Sequence, residues 1–259
     1  MELKRNEPLY QLQDIASILR GEKGCAWDKA QTSNTLKPYL IEETYEVIDA
    51  IENGDIDNLK EELGDLLYQV YAHAQLASEE KNFNIDDVAK GIINKLIRRH
   101  PHVFGNERID NKKDVIKKWE NIKREEKKPE ESILNGIPKH LPALLKAYRV
   151  QQKVSRIGFD WDRIEDVNIK LEEEIREFRE ALSQNDPELI YEEIGDIFFT
   201  LVNISRFIGI NPEEALKKTI QKFIKRFQYI EKETLQSGKK MDEMSLNELD
   251  EIWERAKEP

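Results

Sequence analysis

Two stretches of this chain concentrate carboxylates at helical spacing. In the first, Glu42, Glu43 and Glu46 precede Glu61, Glu62 and Asp65; in the second, Glu173, Glu174 and Glu177 precede Glu192, Glu193 and Asp196. Residues three or four apart share a helix face, so Glu43 lines up with Glu46, and Glu62 with Asp65. Two such helices joined by a short turn become antiparallel neighbours, and four or five carboxylates then converge. Carboxylates gathered in a partly dry site repel one another and resist ionising together. A hard divalent cation relieves that conflict with all-oxygen ligation. Mg²⁺ keeps several waters and accepts phosphate oxygens, so the natural co-ligand is a polyphosphate.

Most acidic runs of this kind are solvated helix faces. Two features argue against that here. Asp65 lies between Leu63 and Leu66-Leu67, and Asp196 sits in Ile194-Gly195-Asp196-Ile197-Phe198-Phe199, so both border the apolar stripe. The whole set also recurs at an offset of 131 residues, and a repeat is a structural unit before it is a coincidence. Gly64 and Gly195 interrupt the second helix of each copy at a cost of about 1 kcal/mol each; close approach of neighbouring helices is the expected compensation. The basic clusters Lys95-Leu96-Ile97-Arg98-Arg99 and Lys222-Phe223-Ile224-Lys225-Arg226 read either as salt-bridged surface or as triphosphate-binding groups. Trp119 and Trp253 read as packing residues, with stacking on a nucleobase as the sharper alternative.

The elements that must hold these groups are helices. Leu40, Val47, Ile48 and Ile51 form one apolar stripe, and Leu59, Leu63, Leu66, Leu67 and Val70 the next, with Asn53-Gly54-Asp55 between them. Asp186-Pro187 and Asn211-Pro212 are helix starts, a capping side chain followed by Pro at the first helical position. No alternating strand pattern is present. The repeat continues after a four-residue shortening, Ile85–Arg99 against Pro212–Arg226, and then with Val115–Lys123 against Leu249–Lys257, pairing Trp119 with Trp253. The charged stretch broken by Pro129, Gly136, Pro138 and Pro142 has linker chemistry. The expectation is an all-α chain of two tandem modules, 1–130 and 131–259, with four or five helices each. His100-Pro101-His102 has no counterpart in the second copy and reads as a loop-ordering or capping element. Cys25 reads as a packing residue.

Bulk properties narrow the class. The chain has 259 residues and a formal net charge of −11, which disfavours binding to polynucleotides. Its single cysteine excludes an intrachain disulfide and a cysteine-based zinc site. The N-terminal segment lacks the apolar core of a signal peptide, and no run is apolar enough to span a bilayer. These point to a soluble, cytoplasmic protein. The main competitor is a helical interaction module whose acids only solvate its surface. A carboxylate bundle for iron would want Glu-x-x-His pairs, and none accompanies these acids.

The chain resembles the MazG family. The resemblance is carried by LRGEKGCAWDKAQT, YLIEETYEVIDAI with EELGDLLYQV, KLIRRHPHVFG, IGFDWDRIEDVNIKLEEEIREF with YEEIGDIFFTLVN, and QKFIKRF. It covers nearly the whole chain, departing at Ala26, where the family usually has Pro. It implies the all-α fold of the NTP pyrophosphatases and Mg²⁺-dependent conversion of NTPs and dNTPs to monophosphate and pyrophosphate, with Mn²⁺ as the alternative ion. Carried over by position, it implies metal ligands at Glu174, Glu177, Glu193 and Asp196, with Glu173 close by. Glu173 or Glu174 would be the general base, Lys222, Lys225 and Arg226 would hold phosphates, and Lys170 and Glu192 would line the nucleotide site. Trp253 would contact the base. The equivalent acids Glu43, Glu46, Glu62 and Asp65 make a second candidate site, and the C-terminal copy is expected to be the catalytic one. Modules of this kind bury their apolar faces best by pairing, so a homodimer is expected.

Overall fold

The turns that join the acidic helices are set by residues that end one helix and cap the next. In a computed structural model that describes residues 7–106, 111, 114, 115, 118, 119, 122, 126 and 132–257, every regular element is helical. The chain divides into two units, Met1–Lys127 and Lys128–Pro259.

In the first unit the described helices are α1 (Pro8–Arg20), α2 (Ala26–Ala30), α3 (Ser33–Asn53), α4 (Ile56–Glu79), α5 (Ile85–Arg99) and α6 (Pro101–Phe104). Four of these are long. The short α2 and α6 carry too few residues to show a periodicity, so the expected four or five helices become six among the described residues. Thr32 and Thr35 make a reciprocal capping box at the start of α3, and Asn84 and Asp87 make another at α5. Each such cap contributes about 1 kcal/mol. Helix α3 stops at Gly54, which takes φ 67 and the left-handed conformation; Asp55 then caps α4 through its side chain on the Asn58 N–H. That two-residue interruption returns α4 antiparallel along α3. Helix α1 packs on α4. The core is built from Leu36, Ala72 and Leu76, with Tyr68 packed against it.

In the second unit the helices are α7 (Ala143–Ser155), α8 (Ile164–Gln184), α9 (Pro187–Phe207), α10 (Pro212–Ser237) and α11 (Leu246–Arg255), with a 3₁₀ turn at Met241–Glu243. The α8–α9 turn repeats the first: Asn185 takes the left-handed conformation with φ 52. Asp186 caps α9, whose first residue is Pro187. Asn211 and Pro212 start α10 in the same way. Helices α8 and α9 form the main pair, α7 packs on α9, and α11 on α10. Val167 and Val202 are completely buried between them, each worth about 1.5–3 kcal/mol relative to exposure.

Candidate metal centre

The turn geometry sets the register of the acids. Glu46 lies eight residues before Gly54 and Glu62 seven after Asp55; Glu177 and Glu193 stand at the same distances from Asn185 and Asp186. About two helical turns on either side of each connection, the carboxylates face each other. In the second unit, ligand oxygens of Glu174, Glu177 and Glu193 all lie within 4.8 Å of one another; in the first, Glu43, Glu62 and Asp65 do so. The fourth acid of each set stands just outside. Asp196 is close enough to Glu193 to act on its charge, and Glu46 lies within hydrogen-bonding reach of Glu43 and Glu62.

The electrostatics are those of an anion cluster. Desolvation, then repulsion from Glu177, Glu174 and Asp196, pushes the Glu193 carboxyl above its ordinary value, with Glu192 a smaller contributor. Desolvation followed by Asp65 and Glu46 does the same to Glu43, and desolvation followed by Glu46 and Asp65 to Glu62. Glu174 is buried, and Glu193 Oε2 is a buried oxygen with no hydrogen-bond partner among the described residues. An orphaned acceptor amid mutually repelling carboxylates is what a hard cation satisfies, so the second unit's residues fit a divalent ion; the first unit's triad shares the spacing and the repulsion.

Lys170 touches the second-unit acids directly, at 2.7 Å from Glu173 and 2.9 Å from Glu174. Those two contacts raise the lysine pKa. The Lys170 hydrogen bond holds the Glu173 carboxyl below its ordinary range. On α10, Lys222 and Lys225 are exposed and Arg226 half-buried. Arg226 lies over the Trp253 ring, 5.5 Å from its centre, and Phe223 packs against the same ring at 5.0 Å. Lys222, Lys225 and Arg226 make no ion pair among the described residues. In the first unit Arg99 lies over Trp119 at 5.8 Å.

Several sequence-based expectations are corrected. A Cβ built on Gly64 or Gly195 would meet nothing within 4 Å, so neither glycine marks a close helix approach within its unit. Cys25 is exposed at the N-cap of α2 and is not a packing residue. His100 ends α5 and starts α6, and its Nδ1 lies 2.7 Å from the Leu96 carbonyl oxygen; this bears out the capping reading.

The structure adds a feature that the acid pattern does not reveal. Helices α1 and α7, 13 residues each, both pack on the second acidic helix of their unit. Each runs into a Gly-x-x-Trp-Asp stretch, Gly24–Asp28 and Gly158–Asp162. That shared stretch was the available signal. Between α7, this stretch and α9 lies a cavity of about 500 Å³ lined by Val154, Phe159, Trp161, Phe199, Asn203 and Gln151, among others. Gln151 is buried, and its Nε2 donates to the Phe199 carbonyl at 2.8 Å. Arg206 closes one wall, bonded to Asp160 at 3.0 Å and to Asn203 at 2.7 Å. The corresponding space in the first unit is only about 40 Å³. Arg20 runs through it, donating to the carbonyls of Asp28 and Gln31 and to Glu79.

Comparison with known proteins matches this architecture. The MazG nucleotide pyrophosphohydrolase domain matches residues 31–104 and 164–230. The chain is 46% identical, over 95% of its length and 94% of the relative's, to the nucleoside triphosphate pyrophosphohydrolase/pyrophosphatase MazG of Thermotoga maritima. It is 43% identical to the nucleoside triphosphate pyrophosphohydrolase of Escherichia coli K12, over 91% of each chain. A crystal structure of a MazG-related protein from Thermotoga maritima aligns with 44% of this chain and 97% of its own, at 28% identity and a TM-score of 0.39. The chain therefore belongs to the MazG nucleotide pyrophosphohydrolase family.

Proposed function

We propose that the second unit hydrolyses NTPs and dNTPs to the nucleoside monophosphate and pyrophosphate with Mg²⁺, or Mn²⁺ in its place. As a MazG-family member the chain is a hydrolase of nucleoside triphosphate phosphoanhydride bonds. The observation that carries the assignment to this unit is the convergence of Glu174, Glu177 and Glu193 oxygens within 4.8 Å, in the unit whose Lys222, Lys225 and Arg226 make no ion pair among the described residues. Glu174, Glu177, Glu193 and Asp196 would hold the ion. A divalent cation bound there supplies Lewis acidity toward phosphate oxygens and acidifies bound water.

The remaining work belongs to the chain's own residues. Glu173, outside the carboxylate triad and steadied by Lys170, takes the proton of the water that attacks the α-phosphorus; Glu174 is the alternative base. Lys222, Lys225 and Arg226 bind the phosphate chain and offset charge on the departing pyrophosphate. Trp253 holds the Arg226 guanidinium from below and completes the substrate-binding face, which Glu192 borders. The cavity beside α9 begins at Phe199, one turn past Asp196, and reaches Asn203, about 10 Å along the helix. A nucleoside held there would lie within reach of the acids, and the cavity's aromatic walls would accept any base, which supports broad specificity.

Large apolar side chains such as Phe198, Leu201, Phe223 and Ile224 are exposed, which supports a homodimer. No described helix is long and apolar enough to cross a membrane, and the cytoplasm, which holds the substrates, is the proposed compartment. Residues 1–130 and 131–259 are proposed as the two modules, the latter catalytic. The test is product analysis: incubation with dNTP and Mg²⁺ should release pyrophosphate and monophosphate in equal amounts. Orthophosphate with the diphosphate would overturn attack at the α-phosphorus. Light scattering reporting a monomer at working concentration would overturn the dimer.

A further inference from the structure

At the C-terminal end of α5, two arginines converge on one carboxylate. Arg98 Nε donates to Glu126 Oε1 at 2.8 Å, Arg99 Nε donates to the same oxygen at 3.2 Å, and a terminal nitrogen of Arg99 bonds Oε2. The Arg99 and Glu126 side chains are only 18% and 20% exposed. The arginine hydrogen bonds hold the Glu126 carboxyl down at about 2. A guanidinium fork gripping two oxygens, with a second guanidinium on one of them, is the arrangement arginine offers to phosphoryl groups.

The repeat gives this contact its meaning. Arg98 and Arg99 stand where Lys225 and Arg226 stand in the second unit, and the aromatic support is kept: Trp119 beneath Arg99, Trp253 beneath Arg226. Lys95, corresponding to Lys222, is exposed one turn back on the same helix. The same unit carries its own carboxylate triad, Glu43, Glu62 and Asp65. The two units thus share a cationic face, with an internal carboxylate seated on one and none on the other among the described residues.

We propose that Arg98 and Arg99 form a second polyphosphate-binding site, in the first unit, and that Glu126 is its built-in occupant, seated where a phosphoryl group would lie. The ligand class is the phosphate chain of a nucleotide or an inorganic polyphosphate. The inference rests on the reading of Lys222, Lys225 and Arg226 as phosphate-holding groups. Glu126 carries a single charge, so a more highly charged ligand competes with it for the same donors, and the carboxylate raises the concentration at which the first unit fills.

Isothermal titration of the full chain with inorganic tripolyphosphate, without divalent cation, tests this in four forms: unaltered, Lys222→Ala/Arg226→Ala, that pair with Glu126→Gln, and those three with Arg98→Ala/Arg99→Ala. The unaltered chain should bind through the second unit and the first variant should lose that binding. Adding Glu126→Gln should restore one site per chain, at least about tenfold tighter than in the variant that keeps Glu126, the scale of removing a charged hydrogen-bonding competitor. The last form should lose it again. Glu126→Ala, which leaves no amide acceptor, should behave as Glu126→Gln does. If both Glu126 variants melt as folded chains and bind no better than their parent, Glu126 is a structural staple and the proposal is overturned. If the Lys222→Ala/Arg226→Ala chain binds as the unaltered one does, it is the phosphate reading of the second unit that fails.

Discussion

The two units hold the same acids and surround them differently. Glu43, Glu46, Glu62 and Asp65 match Glu174, Glu177, Glu193 and Asp196 in spacing, in the turn that sets them and in the repulsion they generate. The first unit uses Arg20 to fill the space beside α4, leaving about 40 Å³, and seats Glu126 on its arginines. The second keeps about 500 Å³ open beside α9, and its Lys222, Lys225 and Arg226 make no ion pair among the described residues. On the proposed reading the lesson is a division of labour: the helix pair would hold the ion, and the flanking elements would decide whether a nucleotide can lie next to it.

The largest effect that tests this contrast is in the acids. Glu193→Gln should lower kcat about 100-fold or more, whereas Glu62→Gln should leave dNTP hydrolysis within about twofold if the second unit carries the turnover. Equal losses would break the distinction between the units. Next is the cavity. Val154→Phe narrows it and should raise KM for dNTPs about tenfold, in the range pocket-shape changes usually reach, while tripolyphosphate affinity stays unchanged. A drop in both would move the nucleoside elsewhere.

Arg20→Ala should destabilise the chain by about 1 kcal/mol or more, because it removes the hydrogen bonds that tie Glu79 to the Asp28 and Gln31 carbonyls through one part-buried guanidinium; urea unfolding followed by helical circular dichroism measures it. The smallest effect is in pH. Glu43, Glu62 and Glu193 have folded-state pKa values above their unfolded ones, so the folded state binds protons more tightly. Without metal, their contribution to stability is fully present below the ordinary carboxylate value and is lost as pH rises through the raised values. Melting temperature in chelator should therefore fall across that window, and millimolar Mg²⁺ should flatten the decline. An unchanged slope would remove the ion from the carboxylates.

Much of this was legible in the sequence because helices write their faces and ends locally. The αL-plus-Asp turns, the Pro starts at Pro187 and Pro212, and the i, i+3 acids are all set by spacing a few residues long. What spacing cannot encode is the void between elements. Whether Trp161 and Phe199 enclose a cavity depends on how α7 lies across α9, and that depends on a buried Gln151 bonded to a carbonyl 48 residues away. Gly64 and Gly195 misled for the same reason: a glycine in a helix announces a missing side chain, not what stands opposite it. Glu126 was unreadable because its partners lie 27 and 28 residues back.

The two-residue turns Gly54-Asp55 and Asn185-Asp186 have a further consequence for how such a protein can change over time. The acids sit about two turns from the connection on both helices, and each residue added or removed between cap and acid rotates the rest of the helix by roughly 100°. Substitutions near the turn are survivable, since Gly and Asn both serve there. Length changes within those segments would swing the ligands away from one another at a stroke. The distance from turn to carboxylate therefore acts as a ruler that duplication copied intact, and insertions in this lineage should collect outside it, in the segments where the two halves already differ in length.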